Sequence, residues 1–469
     1  MDNKLLSQIR SGEAMTLRQQ LKLTVSLSIP AILAQISTIL MEYIDAAMVG
    51  HLGARQSASI GLVSTSIWLF GGLCTAAVTG FSVQVSHAIG AADFTRARDI
   101  LRQSITSCLS FCLVLLLVGA SVGWKLPLWL GGDPSIVHDA SLYFLIFILS
   151  MPAWQLNYLG ASMLRSTGNL RIPSVLNVFC CVLDVIFNFL LIFPSTTITL
   201  DFLTFTVPGA DMGVAGAALG SVLAHIVTAA LMLYFLFVRS PELKLWKTHG
   251  SFRPKRFCLR RATRISLPMM CEHAVMCGAQ ISITAIVAPL GIVAIAANSF
   301  AVIAESLCYM PGYGIGDAAT TLIGLTFGAG RKDLTRNFAY TTVFFGIGVM
   351  TLMGIVMYVF APFMLGIMTP NEAISGLGTQ VLRIEAFAEP MFAASIVAYG
   401  VFVGAGDTFK PFLMNVGSMW IVRITLAALL ASTMGLVGVW IAMCAELCCR
   451  GFIFLVRLRS NWWLKKQVL

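Results

Sequence analysis

Ionisable side chains interrupt several apolar stretches of this 469-residue chain that are long enough to cross a membrane. A charge inside a spanning helix is costly, and such a residue marks a functional site by default. The alternative for each one is a structural ion pair, or a helix-end residue that reaches the membrane surface. Groups of these residues therefore discriminate better than single positions. The side chains concerned are Glu42, Asp45, Asp184, Glu272, Glu305, Asp317, Glu389, Arg423, Glu446 and Arg450.

The group with the clearest spacing contains Asp45, Asp184, Asn188, Asn177 and Ser221. Asp184 and Asn188 are four residues apart, so they share one face of a helix, and Asn177 lies close to that face. At about 1.5 Å per residue, Asn188 is roughly 22 Å into a helix that begins near position 173. Asp45 lies near the far end of the first apolar stretch. We therefore expect Asp45 and Asn188 to meet in the outer half of one bundle.

Two acidic groups with amide and hydroxyl neighbours have the chemistry of a coupling site for a cation or a proton. Clustered oxygen ligands suit a hard cation such as Na⁺, which would bind at Asp45, Asp184 and Asn188. A buried carboxylate that takes up a proton suits H⁺ equally well. We predict a Na⁺ or H⁺ site here, in preference to a structural hydrogen-bond cluster.

A second acidic set, Glu272, Glu305 and Glu389, lies in the other half of the chain. These carboxylates could balance the charge of a cationic substrate, or form a second ion site. The structural alternative pairs them with Arg423 or with each other. The spacing leaves both interpretations open.

Composition assigns these residues to a membrane protein. Hydrophobic residues make up 58% of the chain and charged residues 11%, and the mean hydropathy is +0.85. A soluble domain carries about 25% charged residues, so lipid must be the solvent for most of this exterior. The apolar runs are continuous rather than alternating, which predicts helices. The predicted spans are 23–49, 58–86, 100–123, 141–163, 173–194, 213–237, 265–288, 293–325, 337–361, 379–402, 412–432 and 436–457.

Basic residues predict the orientation. The net charge of +10 comes mainly from short segments between the apolar runs, a placement that favours membrane orientation over nucleic-acid binding. With twelve spans, one side receives both termini and the basic segment 239–264, whereas the other has only Arg55, Lys125 and Arg383. We therefore predict cytoplasmic termini in a bacterial inner or plasma membrane. The start of the chain does not resemble a cleavable signal peptide.

The chain also contains an internal repeat, in which landmark residues recur at one constant offset in residue number. Gly213 and Gly216 recur at a shorter offset, as Gly435 and Gly438, so the first copy has a longer outer loop, near 195–210. Six spans per copy give parallel repeats in two pseudo-symmetric six-helix bundles, an all-α fold in which transporter sites lie between the halves. The pairs at the constant offset are Pro30/Pro268, Gly53/Gly291, Gly90/Gly328, Pro152/Pro390, Gly168/Gly406, Pro173/Pro411 and Asn177/Asn415.

Five parts of the chain follow from this repeat. We predict a cytoplasmic N-terminal segment, an N-lobe, a basic cytoplasmic connector, a C-lobe and a cytoplasmic tail. Their bounds are 1–22, 23–238, 239–264, 265–458 and 459–469.

The repeat serves as a control on the polar positions. A residue that the fold requires should occur in both copies, but the equivalents of Asp45, Asp184, Asn188 and Ser221 are apolar. These four residues therefore indicate function, and the second acidic set also lacks polar equivalents in the first half. The equivalent pairs are Asp45/Ile283, Asp184/Val422, Asn188/Leu426, Ser221/Met443, Glu272/Ala34, Glu305/Ile67 and Glu389/Met151.

Catalysis is not indicated. The sequence contains no GxSxG, HExxH or Walker A motif, and its twelve cysteines lack metal-ligand spacing. We expect no enzyme activity and no cofactor. Without a nucleotide site, an ion gradient is the natural energy source, at about 2.3 kcal/mol per charge per 100 mV.

Several stretches resemble the multidrug and toxic compound extrusion (MATE) family, from about residue 20 to the C-terminus. The resemblance implies twelve helices in two lobes around a V-shaped cavity, and Na⁺- or H⁺-coupled antiport of organic cations. The stretches are IPAILAQISTILMEYIDAAMVGHLG (29–53), RSTGNLRIPSVLNVFCCVLDVIFNFLLIF (165–193), MGVAGAALGSV (212–222), AESLCYMPGYGIGDAATTLIG (304–324) and GVFVGAGDTFKPFLMN (400–415).

The resemblance also bears on single residues. Asp45 matches the family's acidic residue in the first helix, and Ser221 stands where a threonine is common. In the fifth helix the family often has Asn and, four residues later, Asp; here Asp184 precedes Asn188, so the two groups are exchanged. This exchange implies a shifted position for a bound ion.

Two further residues depart from the family pattern. Glu272 lies close to an acidic position that one branch of the family uses in its seventh helix. Asp317 stands where such proteins usually carry an apolar residue.

The sequence thus predicts a secondary active efflux antiporter that exports organic cations in exchange for Na⁺ or H⁺ by alternating access. We expect small-molecule cations and membrane lipids as partners, no nucleic acid, and a monomer. The alternative is a flippase for lipid-linked precursors with a related two-lobe fold. A flippase for anionic pyrophosphates needs a basic cavity, whereas the charges inside these apolar runs are mostly acidic.

Overall fold

A computed structural model describes residues 2–200, 203–246 and 248–465. Met1 of the predicted N-terminal segment, Lys247 of the predicted connector and residues 466–469 of the predicted tail lie outside the described residues, as do Asp201 and Phe202.

The first half of the chain is built of long helices and one hairpin. A π-helical turn, Phe235–Arg239, continues the last helix. The elements are α1 (Asp2–Ser11), α2 (Leu17–Gly50), α3 (Ala54–Gly90), α4 (Phe94–Val122), α5 (Leu126–Trp129), α6 (Pro134–Ser166), α7 (Arg171–Ile192), β1 (Pro194–Leu200), β2 (Leu203–Ala210) and α8 (Gly213–Tyr234).

The second half repeats the long helices. Short 3₁₀ turns follow the first helix, at Ala288–Leu290, and the last, at Trp462–Lys465, and a π-helical segment, Ser418–Ile424, joins the last two helices. The helices are α9 (Arg256–Val287), α10 (Ile292–Gly328), α11 (Lys332–Met368), α12 (Glu372–Glu385), α13 (Glu389–Gly404), α14 (Phe409–Gly417) and α15 (Thr425–Ser460).

Within the described part of the chain, these helices give twelve membrane spans and confirm the predicted all-α membrane fold. Nine of these spans are single long apolar helices, and α12 with α13 makes a tenth that bends by 59°. The continuous stretch from Phe409 to Ser460 supplies the last two, because Gly435 breaks it with φ 59° and ψ −138°. The observed helices extend past most predicted spans, since their polar ends project beyond the apolar layer.

The predicted outer loop near 195–210 is a two-stranded antiparallel hairpin. Strands β1 and β2 pair in register at Thr197 with Thr206 and at Thr199 with Thr204. Threonine-rich strands favour this pairing because β-branched side chains fit a pleated sheet. The hairpin follows the end of α7. We therefore call this side of the molecule the hairpin face and the opposite side, which carries the start of α2, the terminal face.

The two halves meet through equivalent helices. Helix α2 packs on α10, and α3 packs on α9. In the repeat α2 corresponds to α9 and α3 to α10, so these two contacts are copies of each other about a pseudo-twofold axis. On the basis of these contacts we propose that the chain divides into two lobes, 23–238 and 265–458.

Two glycines explain one repeated landmark. A Cβ at Gly90 would collide with the carbonyl oxygen of Leu325, and a Cβ at Gly328 would collide with that of His87. Leu325 and His87 are themselves equivalent in the repeat. The glycine of each helix therefore packs against the backbone of the other at the crossing of α3 and α10. Small residues at such a crossing let helix backbones approach closely inside a membrane.

Helix α1 covers part of the terminal face. Leu5, Leu6 and Ile9 are buried, although the sequence predicted only a cytoplasmic segment there. The carbonyl oxygen of Gln8 accepts a hydrogen bond from Arg331 Nη1 at 2.9 Å. Ile9 lies four positions after Leu5 and three after Leu6, so these residues form one helical face, which explains why this short helix packs on the membrane domain.

Candidate functional site

Asp45, Asp184 and Asn188 form one hydrogen-bonded cluster. Asn188 Nδ2 donates to Asp45 Oδ1 at 2.8 Å and to Asp184 Oδ2 at 3.0 Å. Asp184 and Asn188 are both 0% exposed. Helix α7 presents these two residues on one face because they are four positions apart, and α2 brings Asp45 against that face.

The cluster has free ligand capacity. Asp184 Oδ1 and Asn188 Oδ1 are buried and have no hydrogen-bond partner among the described residues. An unsatisfied buried acceptor is costly, and a bound cation or proton would relieve that cost. The amide lies close to α8, and the glycine at position 220 makes room for it, since a Cβ there would collide with Asn188 Oδ1. Two carboxylates and an amide oxygen fit a hard cation.

The other two predicted coupling residues lie in the same bundle but make different contacts. Ser221 Oγ donates to the carbonyl oxygen of Ala217 at 3.2 Å, one turn earlier in α8. Asn177 lines a cavity further toward the terminal face. The structure therefore brings three of the five residues together and places Asn177 in a neighbouring space.

That cavity has a volume of about 270 Å³ and lies between α2, α6, α7, α8 and α10. His225 also lines it: its Nδ1 lies 3.3 Å from Asn157 Nδ2 and 3.7 Å from Cys180 Sγ. Cys180 is one turn before Asp184 on α7. The lining residues used below are Ala34, Gln35, Asn157, Ala161, Arg165 and Asp317.

The repeat explains why the cavity occurs in the first half. Ala34 and Ala161 line it, and their equivalents in the second copy are Glu272 and Tyr399. In the second half, Asn415 Nδ2 donates to Glu272 Oε1 at 2.6 Å, and the Tyr399 hydroxyl donates to Glu272 Oε2 at 2.9 Å. Larger side chains thus occupy the space that two alanines leave open in the first half.

The residues of the second acidic set, Glu272, Glu305 and Glu389, have different surroundings in the structure. Glu272 has the two partners just described, whereas Glu389 lies where α12 ends and α13 begins. Its neighbour Glu385, which the sequence analysis passed over, is the last residue of α12. Both are 0% exposed, and their carboxylate oxygens have no hydrogen-bond partner among the described residues. Glu305 is also buried. Broken helices line ion and substrate sites in many transporters.

A signal for Glu385 was present in the sequence. Two glutamates four residues apart precede Pro390 in an otherwise apolar run, and a proline at that point predicts a helix break. Asn157 was missed as well, because a single amide in an apolar helix carries little information without its neighbours.

The basic residues of the second half have other partners. Arg450 Nε and Nη2 donate to the two carboxylate oxygens of Glu446, each at 2.7 Å. Arg423 Nη2 contacts the sulfur of Met443. Among the described residues, Arg423 makes no hydrogen bond or ion pair with Glu272, Glu305 or Glu389, so the alternative in which it pairs with one of them stays a prediction. Glu446 and Arg450 form a buried structural pair.

Comparison with known proteins identifies the family. The MatE family model matches residues 30–190 and 268–429, once in each half and over more than half of the chain. The chain is 24% identical over 447 residues to the probable multidrug resistance protein NorM of Thermotoga maritima, covering 95% of this chain and 93% of the relative. It is 23% identical over 469 residues to multidrug and toxin extrusion protein 2 of Mus musculus, covering 98% of this chain and 78% of the relative.

Solved structures show the same fold. A MOP superfamily transporter from Pyrococcus furiosus superposes with a TM-score of 0.87 at 20% identity, covering 98% of this chain and 99% of the other. An outward-facing multidrug resistance MATE family transporter gives a TM-score of 0.86 at 21% identity, covering 96% and 97%. The chain belongs to the MATE family, whose members are membrane transporters rather than enzymes.

Proposed function

We propose that this protein is a secondary active multidrug efflux antiporter that exports organic cations in exchange for Na⁺ or H⁺. The single observation that carries the proposal is the buried cluster of Asp45, Asp184 and Asn188, which has unsatisfied oxygens and no polar equivalent in the second half. The names of the relatives, which describe multidrug resistance and extrusion, support small-molecule substrates.

The position of the cluster supports coupling by alternating access. Asp45 lies on α2, which packs on α7 within the first half and on α10 of the second half. Binding of Na⁺ or H⁺ neutralises charge between α2 and α7 and therefore acts on a helix that joins the halves. The ion would favour one arrangement of the lobes, and substrate would favour the other.

The distribution of Lys and Arg supports a location in the bacterial inner membrane with the terminal face in the cytoplasm. Lys and Arg concentrate at the terminal face, and we place that face in the cytoplasm of a bacterial inner membrane. We propose a monomer surrounded by membrane lipids. Glu305, Glu385 and Glu389 form the candidate second ion or substrate site, because their buried carboxylates could bind a cation or a proton.

The test is transport in proteoliposomes with an imposed Na⁺ gradient and then an imposed pH gradient. Asp45→Asn and Asp184→Asn should each abolish gradient-driven efflux of a fluorescent organic cation at normal levels of reconstituted protein. Glu372→Gln is the matched control, since this exposed carboxylate begins α12 at the hairpin face. Full efflux in both aspartate variants would exclude the first-half cluster as the coupling site.

A further inference from the structure

We propose that Asp317 is the carboxylate that recognises the positive charge of the substrate. In the absence of substrate, the guanidinium of Arg165 occupies the position beside Asp317 that the substrate takes when it binds. This inference rests on the proposed function, because it names a recognition group for the organic cation. It also assigns a role to a residue that the coupling cluster does not use.

Asp317 faces the cavity from the opposite half of the molecule. It lies on α10, and its Oδ2 accepts a hydrogen bond from Gln35 Nε2 of α2 at 3.3 Å. Arg165 Nη1 of α6 lies 3.9 Å from the same oxygen. The Asp317 side chain is 35% exposed and the Arg165 side chain 18%. Charge-assisted hydrogen bonds measure about 2.7–2.9 Å, so this ion pair is loose and can be exchanged.

The Arg165 guanidinium already sits where an organic cation would bind. It lies 5.5 Å from the ring centroid of Tyr158, which stacks on Trp154 with centroids 5.9 Å apart and planes 11° apart. An aromatic face next to a carboxylate is the environment that binds organic cations. A cationic substrate could therefore take both partners from the guanidinium.

The cavity offers further recognition. Its volume of about 270 Å³ is close to the lower end of the range for small-molecule pockets, roughly 300 Å³. Asn157 lines it, is 8% exposed, and has a buried Oδ1 with no hydrogen-bond partner among the described residues. This oxygen could accept a hydrogen bond from an N–H or O–H group of the substrate. A compact, aromatic or amphipathic cation fits this set of groups.

The repeat argues against a purely structural ion pair. At the constant offset of the repeat, Thr79 is equivalent to Asp317 and Val403 is equivalent to Arg165, so the pair occurs once. The pair also joins the two halves. A cation that takes Asp317 from Arg165 removes a contact between the lobes, which couples substrate binding to their separation.

Binding of protonated tryptamine, a compact aromatic ammonium ion, to the purified full-length protein in detergent tests this inference. Asp317→Asn should weaken binding about tenfold, whereas Arg165→Gln should tighten it several-fold by removing the competing guanidinium. A structural pair gives a different result, because either substitution breaks it and both should then weaken binding alike. Glu372→Gln is the control, since it makes the same kind of change at an exposed carboxylate away from the cavity and should leave binding unchanged.

Each result decides the question. Weaker binding by Asp317→Asn together with tighter binding by Arg165→Gln supports the proposal. Unchanged binding by Asp317→Asn, or unchanged or weaker binding by Arg165→Gln, overturns it. If Asp317→Asn does not fold, the Arg165→Gln result alone decides. Absence of binding by the unsubstituted protein would instead contradict the proposed cation substrate, and thus separates the two failures.

Discussion

Replacing Asn188 with leucine should separate ion coupling from folding. Leucine is close to asparagine in shape, and it stands at the equivalent position 426 of the second half. The change removes the two hydrogen bonds to Asp45 and Asp184, at 2.8 and 3.0 Å. Hydrogen bonds between side chains inside a membrane average about 0.6 kcal/mol and reach about 1.7 kcal/mol. We therefore expect a loss of about 1–3 kcal/mol in the free energy of unfolding.

Asn188→Leu should change the ion dependence as well as the stability, and the two effects are measured separately. Asn188→Leu also removes the Oδ1 that could bind an ion and leaves two buried carboxylates without their shared donor. With Na⁺ as the coupling ion, we expect the Na⁺ concentration for half-maximal efflux to rise at least about tenfold, which corresponds to about 1.4 kcal/mol. With H⁺ as the coupling ion, the half-maximal H⁺ concentration should instead fall, because loss of the donor to the carboxylates favours their protonated form. The assay is cation efflux from proteoliposomes across a series of ion concentrations, together with thermal unfolding of the same preparation.

A matched substitution in the second half provides the control. Asn298 Oδ1 accepts a hydrogen bond from Trp440 Nε1 at 2.9 Å, so Asn298→Leu also removes a hydrogen bond to an amide on a spanning helix. It should lower the free energy of unfolding by about 0.6–1.7 kcal/mol, as expected for one hydrogen bond, and leave the ion dependence unchanged. If Asn188→Leu and Asn298→Leu shift the ion dependence equally, the reasoning about the cluster is refuted.

Two predictions concern packing and charge pairing. Gly90→Val should force α3 away from the carbonyl oxygen of Leu325 and lower the free energy of unfolding by about 1–3 kcal/mol, measured by thermal unfolding. Gly348→Val is the control and should cost much less, because a Cβ at that position meets open space. Glu446→Leu should leave the buried guanidinium of Arg450 unpaired and lower the free energy of unfolding by about 3–5 kcal/mol, measured by denaturation. Replacement of both residues by apolar ones should restore most of that loss.

The sequence was most informative where one physical rule acts over a long segment. Continuous apolar runs predicted the spans, and the constant offset predicted two equivalent sets of helices. The i, i+4 spacing of Asp184 and Asn188, combined with helix rise, also placed Asp45 near them, and the structure brings these three together. Each of these steps needs only local geometry and the thickness of the membrane.

Features that depend on neighbours across the molecule were not predictable. The span predicted at 379–402 is broken between Glu385 and Glu389, although proline and two glutamates marked the place. The cavity is lined by the small residues Ala34 and Ala161 where the second half has Glu272 and Tyr399. A sequence shows alanines but not which space they leave open, because that depends on helices far apart in the chain.

Under the proposed function, ion and substrate act on the same helix pair. Asn177 and Cys180 line the cavity on α7, and Asp184 and Asn188 follow one and two turns after Cys180 on that helix. The partner helix α2 contributes Gln35 to the cavity and Asp45 to the cluster. Helix α2 also packs on α10, which carries Asp317. An ion and a substrate that bind about three turns apart on α2 would therefore compete through one interface between the lobes. Antiport would then need no coupling between more distant parts of the protein.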